Sequence, residues 1–145
     1  LSHAIEYIQS NHNISPDIIV FLQATSPLRV HNDIDNAIDM FLKTNSDSLF
    51  SATKLDDLTL WKNKNETWES INFDYTHRLR RQDMSPNYIE NGSIYIFKPQ
   101  ILKNTNNRLG GKISIYEMAF WQTWEIDTIN EVDLIEFYMK KYKLN

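Results

Sequence analysis

Apolar positions along this chain follow two spacings, one typical of strands and one typical of helices. Ile18–Leu22 is too short for a helix and rich in β-branched residues, which predicts a buried strand. Ser48–Thr53 has the same character. Between them, Asn32 or Asp33 is predicted to cap a one-sided helix. Its apolar face is formed by Ile34, Ala37, Ile38, Phe41 and Leu42. Strand, helix and strand in this order predict a right-handed βαβ unit.

The rest of the chain adds three predicted helices and one predicted strand. In Lys54–Asn91, aromatic residues are scattered among polar ones, which predicts short strands and loops. The pattern therefore predicts one α/β domain over residues 1–145, with an inserted irregular region. The helices are Ser2–His12, Pro99–Thr105 and Asn130–Tyr142, and the strand is Ser93–Phe97.

Composition narrows the class of protein. The 145 residues suffice for one domain with a real core. The net charge is −4 and the cationic clusters are small, which argues against a nucleic-acid partner. The chain has no cysteine, which excludes disulfides and thiolate metal sites and favours a cytoplasmic location. No apolar run approaches membrane-spanning length, so no membrane partner is expected.

The first candidate site follows the first predicted strand. In open α/β sheets, ligands bind just outside the carboxyl ends of strands. Gln23, Thr25, Ser26 and Arg29 therefore stand where a substrate is expected. The alternative is a polar turn between a strand and a helix.

The second candidate site combines Arg81 and Gln82 with the segment Asn91–Ile96. Arginine is well shaped to bind a carboxylate or phosphate through two parallel hydrogen bonds. Asn91-Gly92 is a turn signal that places Tyr95 on the following strand. The alternative is a solvated basic turn followed by an ordinary hairpin.

The third candidate site is the acid pair Glu125 and Asp127. On a strand the two side chains would share one face, and at a strand end they could hold Mg²⁺. The alternative is that Asp127 or Thr128 merely caps the last helix.

Together these three blocks resemble the LLQPTSPLR, RRQ…NGAIYI and IDIDT motifs of the acylneuraminate cytidylyltransferases, the CMP-sialic acid synthetases. The resemblance implies a Rossmann-like nucleotide-diphospho-sugar transferase sheet with mixed strands. It implies a reaction in which CTP and a nine-carbon 2-keto acid sugar give a CMP-sugar and pyrophosphate. It also implies a homodimer formed through residues 74–115.

The resemblance also assigns roles to residues, which are expected to line one cleft. Gln23 and Tyr95 would contact the sugar, and Arg81 would bind near its carboxylate. Asp127 with Glu125 would hold Mg²⁺, although Glu125 stands where the family has aspartate. Arg81 and Asp127 are the expected catalytic residues. The further substrate-binding residues would be Thr25, Ser26, Gln82 and Asn91.

Two departures from the family pattern leave alternatives open. The Arg-, Gly- and Lys-rich nucleotide loop is expected upstream of Leu1, so this chain would be the C-terminal two-thirds of an enzyme and inactive alone; the alternative is a degenerate homologue. Arg108-Leu109 replace an aromatic pair, so legionaminate or pseudaminate is as plausible a substrate as sialic acid. The other hypotheses are a different nucleotide-sugar transferase of the same fold and a non-catalytic interaction domain.

Overall fold

A computed structural model describes residues 1–55 and 58–144. Within these ranges, four helices and six strands follow one another in an α/β arrangement. The helices are α1 (Ser2–His12), α2 (Asp33–Thr44), α3 (Pro99–Thr105) and α4 (Ile129–Tyr142). The strands are β1 (Ile19–Leu22), β2 (Ser48–Leu55), β3 (Trp61–Lys64), β4 (Thr67–Ser70), β5 (Asn87–Phe97) and β6 (Ile113–Met118). Short 3₁₀ turns lie at Arg81–Asp83 and Phe120–Thr123.

The main sheet is mixed, with strand order β1-β5-β2-β6. Strand β5 runs antiparallel to both β1 and β2, whereas β2 and β6 are parallel. Consequently β1, β2 and β6 all point the same way, and their carboxyl ends share one edge of the sheet. The structure confirms the predicted α/β class with mixed strands. The two strands of the predicted βαβ unit are parallel, but β5 lies between them.

One face of the sheet is covered by α2, whose sequence period places a stripe of apolar residues toward the strands. Ala37 and Phe41 of α2 pack against Leu49, Ile94 and Ile96, all of them buried. Each large apolar side chain buried in this way contributes about 1.5–3 kcal/mol. Leu42, at the margin of the predicted stripe, is 59% exposed, so the buried face of α2 is narrower than the periodicity indicates.

The start of α2 differs from the prediction. Within the described residues, Asn32 at the N-cap makes no side-chain capping bond. Asp33 is buried instead, and its Oδ2 accepts a hydrogen bond from the Val30 N–H at 2.6 Å. Its carboxylate therefore holds the preceding loop rather than the first turn of the helix.

Strand β5 continues through the predicted Asn91-Gly92 turn. Phe50 of β2 faces Tyr95, while Ala52 faces Glu90, so four residues of β5 lie opposite a single residue of β2. The prediction of a turn before a separate strand is wrong: the segment is a bulge within one long strand. Gly92 has a φ of 65°, a conformation that serves a bulge as well as a turn.

The irregular region contains a small second sheet, formed by β3 and β4 alone. We call residues 58–86 the arm. Within the arm, the ring of Trp61 packs against the rings of Phe73, at 5.3 Å between centroids, and Tyr75, at 5.5 Å. In the part of the chain that the structure describes, no helix combines the length and apolar character needed to cross a bilayer.

Candidate functional site

The loop after β1 is held in place by Arg29. One guanidinium nitrogen donates hydrogen bonds to the Ser26 carbonyl at 2.5 Å and to Ser93 Oγ at 3.2 Å. The same nitrogen lies 3.4 Å from the Gln23 carbonyl. Burial lowers the pKa of Arg29, and the nearby Asp33 carboxylate opposes that shift. Arg29 therefore organises the loop and joins it to the bulge of β5.

A second set of contacts joins this loop to Glu125. Ser26 Oγ donates a hydrogen bond to Glu125 Oε2 at 3.2 Å, and the Ile126 N–H donates to the Thr25 carbonyl at 2.8 Å. Gly92 lies directly beneath the same carboxylate, since a Cβ built at Gly92 would stand only 2.8 Å from Glu125 Oε2. The three sequence motifs therefore meet at the edge of the sheet where β1 ends.

The segment that carries the acid pair is not a strand. Glu125 and Asp127 lie in irregular chain between the second 3₁₀ turn and α4. The argument from strand alternation is therefore wrong, and the position of Glu125 depends on its contacts instead. At the start of α4, the Glu131 carboxylate accepts hydrogen bonds from the Thr128 N–H at 2.5 Å and from Thr128 Oγ at 2.6 Å. Thr128 is thus the N-cap residue, and Asp127 is exposed.

Asn91 and Ser26, two of the predicted substrate-binding residues, are buried and hydrogen-bonded inside the protein. Asn91 Oδ1 accepts from Ser51 Oγ at 2.6 Å, and Asn91 Nδ2 donates to the Gln122 carbonyl at 3.3 Å. Asn91 thereby fastens the bulge of β5 both to β2 and to the second 3₁₀ turn. Substrate binding by these two residues stays a prediction.

Tyr95 is covered by Arg108. Only 2% of Tyr95 is exposed, and its hydroxyl donates a hydrogen bond to Glu90. The guanidinium carbon of Arg108 lies 3.8 Å from the centre of the Tyr95 ring, and Arg108 also forms a 3.9 Å ion pair with Glu90. Burial and then the bond to Glu90 raise the pKa of Tyr95 to about 12, so the hydroxyl remains a proton donor at neutral pH. Sequence patterns gave no sign of this stacking.

Gln82 lies elsewhere, in a cleft of about 630 Å³ between the arm and the ends of β2 and β5. Among the described residues that line this cleft, Gln23, Tyr95 and Asp127 do not appear. The backbone of Arg81 begins the first 3₁₀ turn, but its side chain lies outside the described residues. The structure thus joins the first motif, the third motif and the Asn91–Ile96 part of the second at one edge, and places Gln82 apart from them.

The accessible groups at the meeting point are few. Gln23 is half-buried, whereas Thr25 and Asp127 are exposed and Glu125 is half-buried. No group of three or more potential metal ligands occurs among the described residues. Mg²⁺ nevertheless needs only one or two carboxylates when substrate phosphates and water supply its other ligands. Glu125 and Asp127 carry oxygen donors of the kind that Mg²⁺ prefers, and magnesium binding by this pair stays a prediction.

Comparison with known proteins identifies relatives of one functional kind. Over 115 residues the chain is 32% identical to N-acylneuraminate cytidylyltransferase A of Danio rerio, covering 77% of this chain and 26% of that protein. It is 30% identical over 132 residues to N-acylneuraminate cytidylyltransferase of Oncorhynchus mykiss, covering 87% of this chain and 30% of that protein. Pseudaminic acid cytidylyltransferase of Campylobacter jejuni is 27% identical, covering 100% of this chain and 62% of the relative.

These matches cover most of this chain but only 26% to 62% of the three relatives' lengths. No model of a protein family matches the chain. These relatives confirm the resemblance inferred from the three motifs. Two of them are named as N-acylneuraminate cytidylyltransferases and one as a pseudaminic acid cytidylyltransferase.

Proposed function

Because this chain belongs to the acylneuraminate cytidylyltransferase family, we propose that the natural protein joins a nonulosonic acid to CMP from CTP. The anomeric hydroxyl oxygen of the sugar forms a bond to the α-phosphorus of CTP and its proton is released to solvent. The bond between the α-phosphorus and the oxygen that bridges to the β-phosphate breaks, and pyrophosphate leaves. The main support is the meeting of three motifs at one sheet edge, through the contacts of Ser26, Gly92 and Glu125. This edge lies where open α/β sheets bind ligands.

The side chains at this edge divide into groups that position and groups that bind. Arg29 and Ser26 hold the loop, so that Gln23 and Thr25 can present polar groups to the sugar. Asp127, with Glu125 beside it, would hold Mg²⁺, which when bound neutralises charge that develops on the phosphates. The chain itself would contribute orientation of the two substrates, because phosphoryl-type transfer depends mainly on positioning.

The test is a transfer assay on the natural protein that contains this chain. With CTP and Mg²⁺, we expect pyrophosphate release when N-acetylneuraminate, legionaminate or pseudaminate is supplied, and a CMP-sugar of matching mass. Replacing CTP by UTP or ATP is the control and should give background rates. If none of these acids gives a CTP-dependent product, or if a UDP-sugar is turned over instead, the proposal is wrong.

We also propose that the protein forms a homodimer through residues 74–115. This segment exposes several apolar side chains, at fractions between 38% and 60%: Tyr75, Leu79, Tyr88, Ile89 and Ile113. Contiguous exposed apolar surface is typical of sites that bind another protein, and these side chains are the candidates to form it.

Light scattering at micromolar concentration should give the mass of a dimer. The double variant Leu79→Glu with Ile89→Glu should give the mass of a monomer, because two charges would be buried without partners. Phe137→Glu is the matched control, since Phe137 is 55% exposed on α4, outside the segment. A monomeric parent protein, or a dimer that the double variant leaves intact, would contradict this interface.

A further inference from the structure

Asp33 and Gln122 form a buried polar contact that joins the start of α2, and Leu28 of the loop before it, to the 3₁₀ turn before Glu125. Each is only 4% exposed. Gln122 Nε2 donates to Asp33 Oδ2 at 2.7 Å and to the Leu28 carbonyl at 2.9 Å. Gln122 Oε1 accepts from the Ala119 N–H at 3.0 Å. One amide side chain thus joins parts of the chain that are 89 residues apart.

Both oxygens of the Asp33 carboxylate accept hydrogen bonds from protein donors. Its Oδ2 also accepts from the Val30 N–H at 2.6 Å, and its Oδ1 accepts from the Tyr116 hydroxyl at 3.0 Å. The guanidinium of Arg29 provides the nearby positive charge. A buried carboxylate is tolerated only when it is paired in this way, so each donor is required for the arrangement to persist.

This contact lies between the two sides of the proposed site. Leu28 follows Ser26 by two positions, and Gln122 precedes Glu125 by three. The contact between Leu28 and Gln122 is therefore separated by only a few residues, in both segments, from the contacts of Ser26 with Glu125 and of Thr25 with Ile126. Any shift of the second 3₁₀ turn against the loop would move Glu125 relative to Ser26.

We propose that Asp33 and Gln122 are positioning residues that set where Glu125 and Asp127 stand relative to Gln23 and Thr25. The inference rests on the proposed function for its link to catalysis. The effect of the Asp33–Gln122 contact on the hydrogen bond from Ile126 to Thr25 does not depend on the proposed function, because it can be measured without an activity assay.

Gln122→Leu tests the proposal because, at similar size, it removes both hydrogen bonds that Nε2 donates and the one that Oε1 accepts from the Ala119 N–H. The 3₁₀ turn should stay folded, since Thr53 Oγ1 lies 2.7 Å from Thr123 Oγ1 and Asn91 binds the backbone carbonyl of residue 122. By hydrogen exchange, the Ile126 amide should lose about tenfold more protection than core amides of β2. In the natural protein, kcat for CMP transfer should fall by at least about tenfold, because small displacements of reacting groups are costly.

Two further variants separate positioning from general stability. Ser48→Ala removes buried hydrogen bonds to Gly110 at the opposite sheet edge and should leave both the relative protection of Ile126 and kcat unchanged. Gln122→Glu keeps an acceptor for the Ala119 N–H but replaces the donors to Asp33 and Leu28 by a second carboxylate, and should lower both measurements at least as far as Gln122→Leu does.

The inference is overturned if Gln122→Leu only lowers stability, as Ser48→Ala does. In that case the protection of Ile126 relative to the core amides of β2, and the kcat relative to the parent protein, would both be unchanged. Absence of any CMP-sugar product from the parent protein would instead count against the proposed function. The exchange of Ile126 would still decide in that case whether Asp33 and Gln122 position the acid segment.

Discussion

Asp127→Asn should lower the initial rate of CMP transfer by about 100-fold, corresponding to roughly 3 kcal/mol of transition-state stabilisation. The substitution keeps the shape of the side chain and removes its charge, and Asp127 is exposed, so folding should be unaffected. The measurement is the initial rate of the natural protein as a function of Mg²⁺ concentration. The Mg²⁺ concentration that gives half of the maximal rate should also be higher in the variant.

Glu125→Gln is the matched comparison. The amide oxygen can still accept the hydrogen bond from Ser26, so the loop contact should survive, and the rate should fall less than in Asp127→Asn. A wild-type rate with wild-type magnesium dependence in Asp127→Asn would remove Asp127 from the mechanism. A larger loss in Glu125→Gln than in Asp127→Asn would make Glu125 the principal metal ligand.

Gly92→Ala should lower the free energy of unfolding by roughly 2 kcal/mol or more. Gly92 has a φ of 65°, and a Cβ there would stand 2.8 Å from Glu125 Oε2. The backbone strain should lower the free energy of unfolding measured in a urea titration. The displacement of Glu125 should lower the rate of CMP transfer per folded molecule.

Gly111→Ala provides a control with the same kind of strain at the opposite edge of the sheet. Gly111 has a φ of 63°, and its Cβ would stand 2.5 Å from Asp47 Oδ2. We expect a comparable loss of stability with an unchanged rate per folded molecule. If Gly92→Ala behaves the same way as Gly111→Ala, the contact between Gly92 and Glu125 has no role in transfer.

Local periodicity predicted the helices well, because a one-sided apolar stripe such as that of α2 is a property of neighbouring residues. The bulge at Asn91-Gly92 could not be predicted in the same way. A glycine with positive φ serves a turn or a bulge equally, and the choice depends on pairing with β2, some 40 residues earlier in the chain.

For the candidate site, the sequence predicted a polar loop after β1 but not the contacts that its residues make. Ser26 and Asn91 form hydrogen bonds inside the protein, to Glu125 and Ser51 respectively, which only the folded chain reveals. The acid pair was interpreted on the assumption of a strand, yet β6 ends at Met118 and a 3₁₀ turn follows at Phe120–Thr123. Gln122 and Asp33 carried no sequence signal, because a buried amide and a helix-starting aspartate are both common.

The place of β5 between β1 and β2 has a consequence for the order in which the chain can fold during synthesis. Both strands emerge from the ribosome before β5, and neither pairs with the other. Among the residues that the structure describes, β1 and β2 therefore find no hydrogen-bonding partner before residues 87–97 have been made. The same late segment carries Gly92, so the sheet and the proposed site come into existence together.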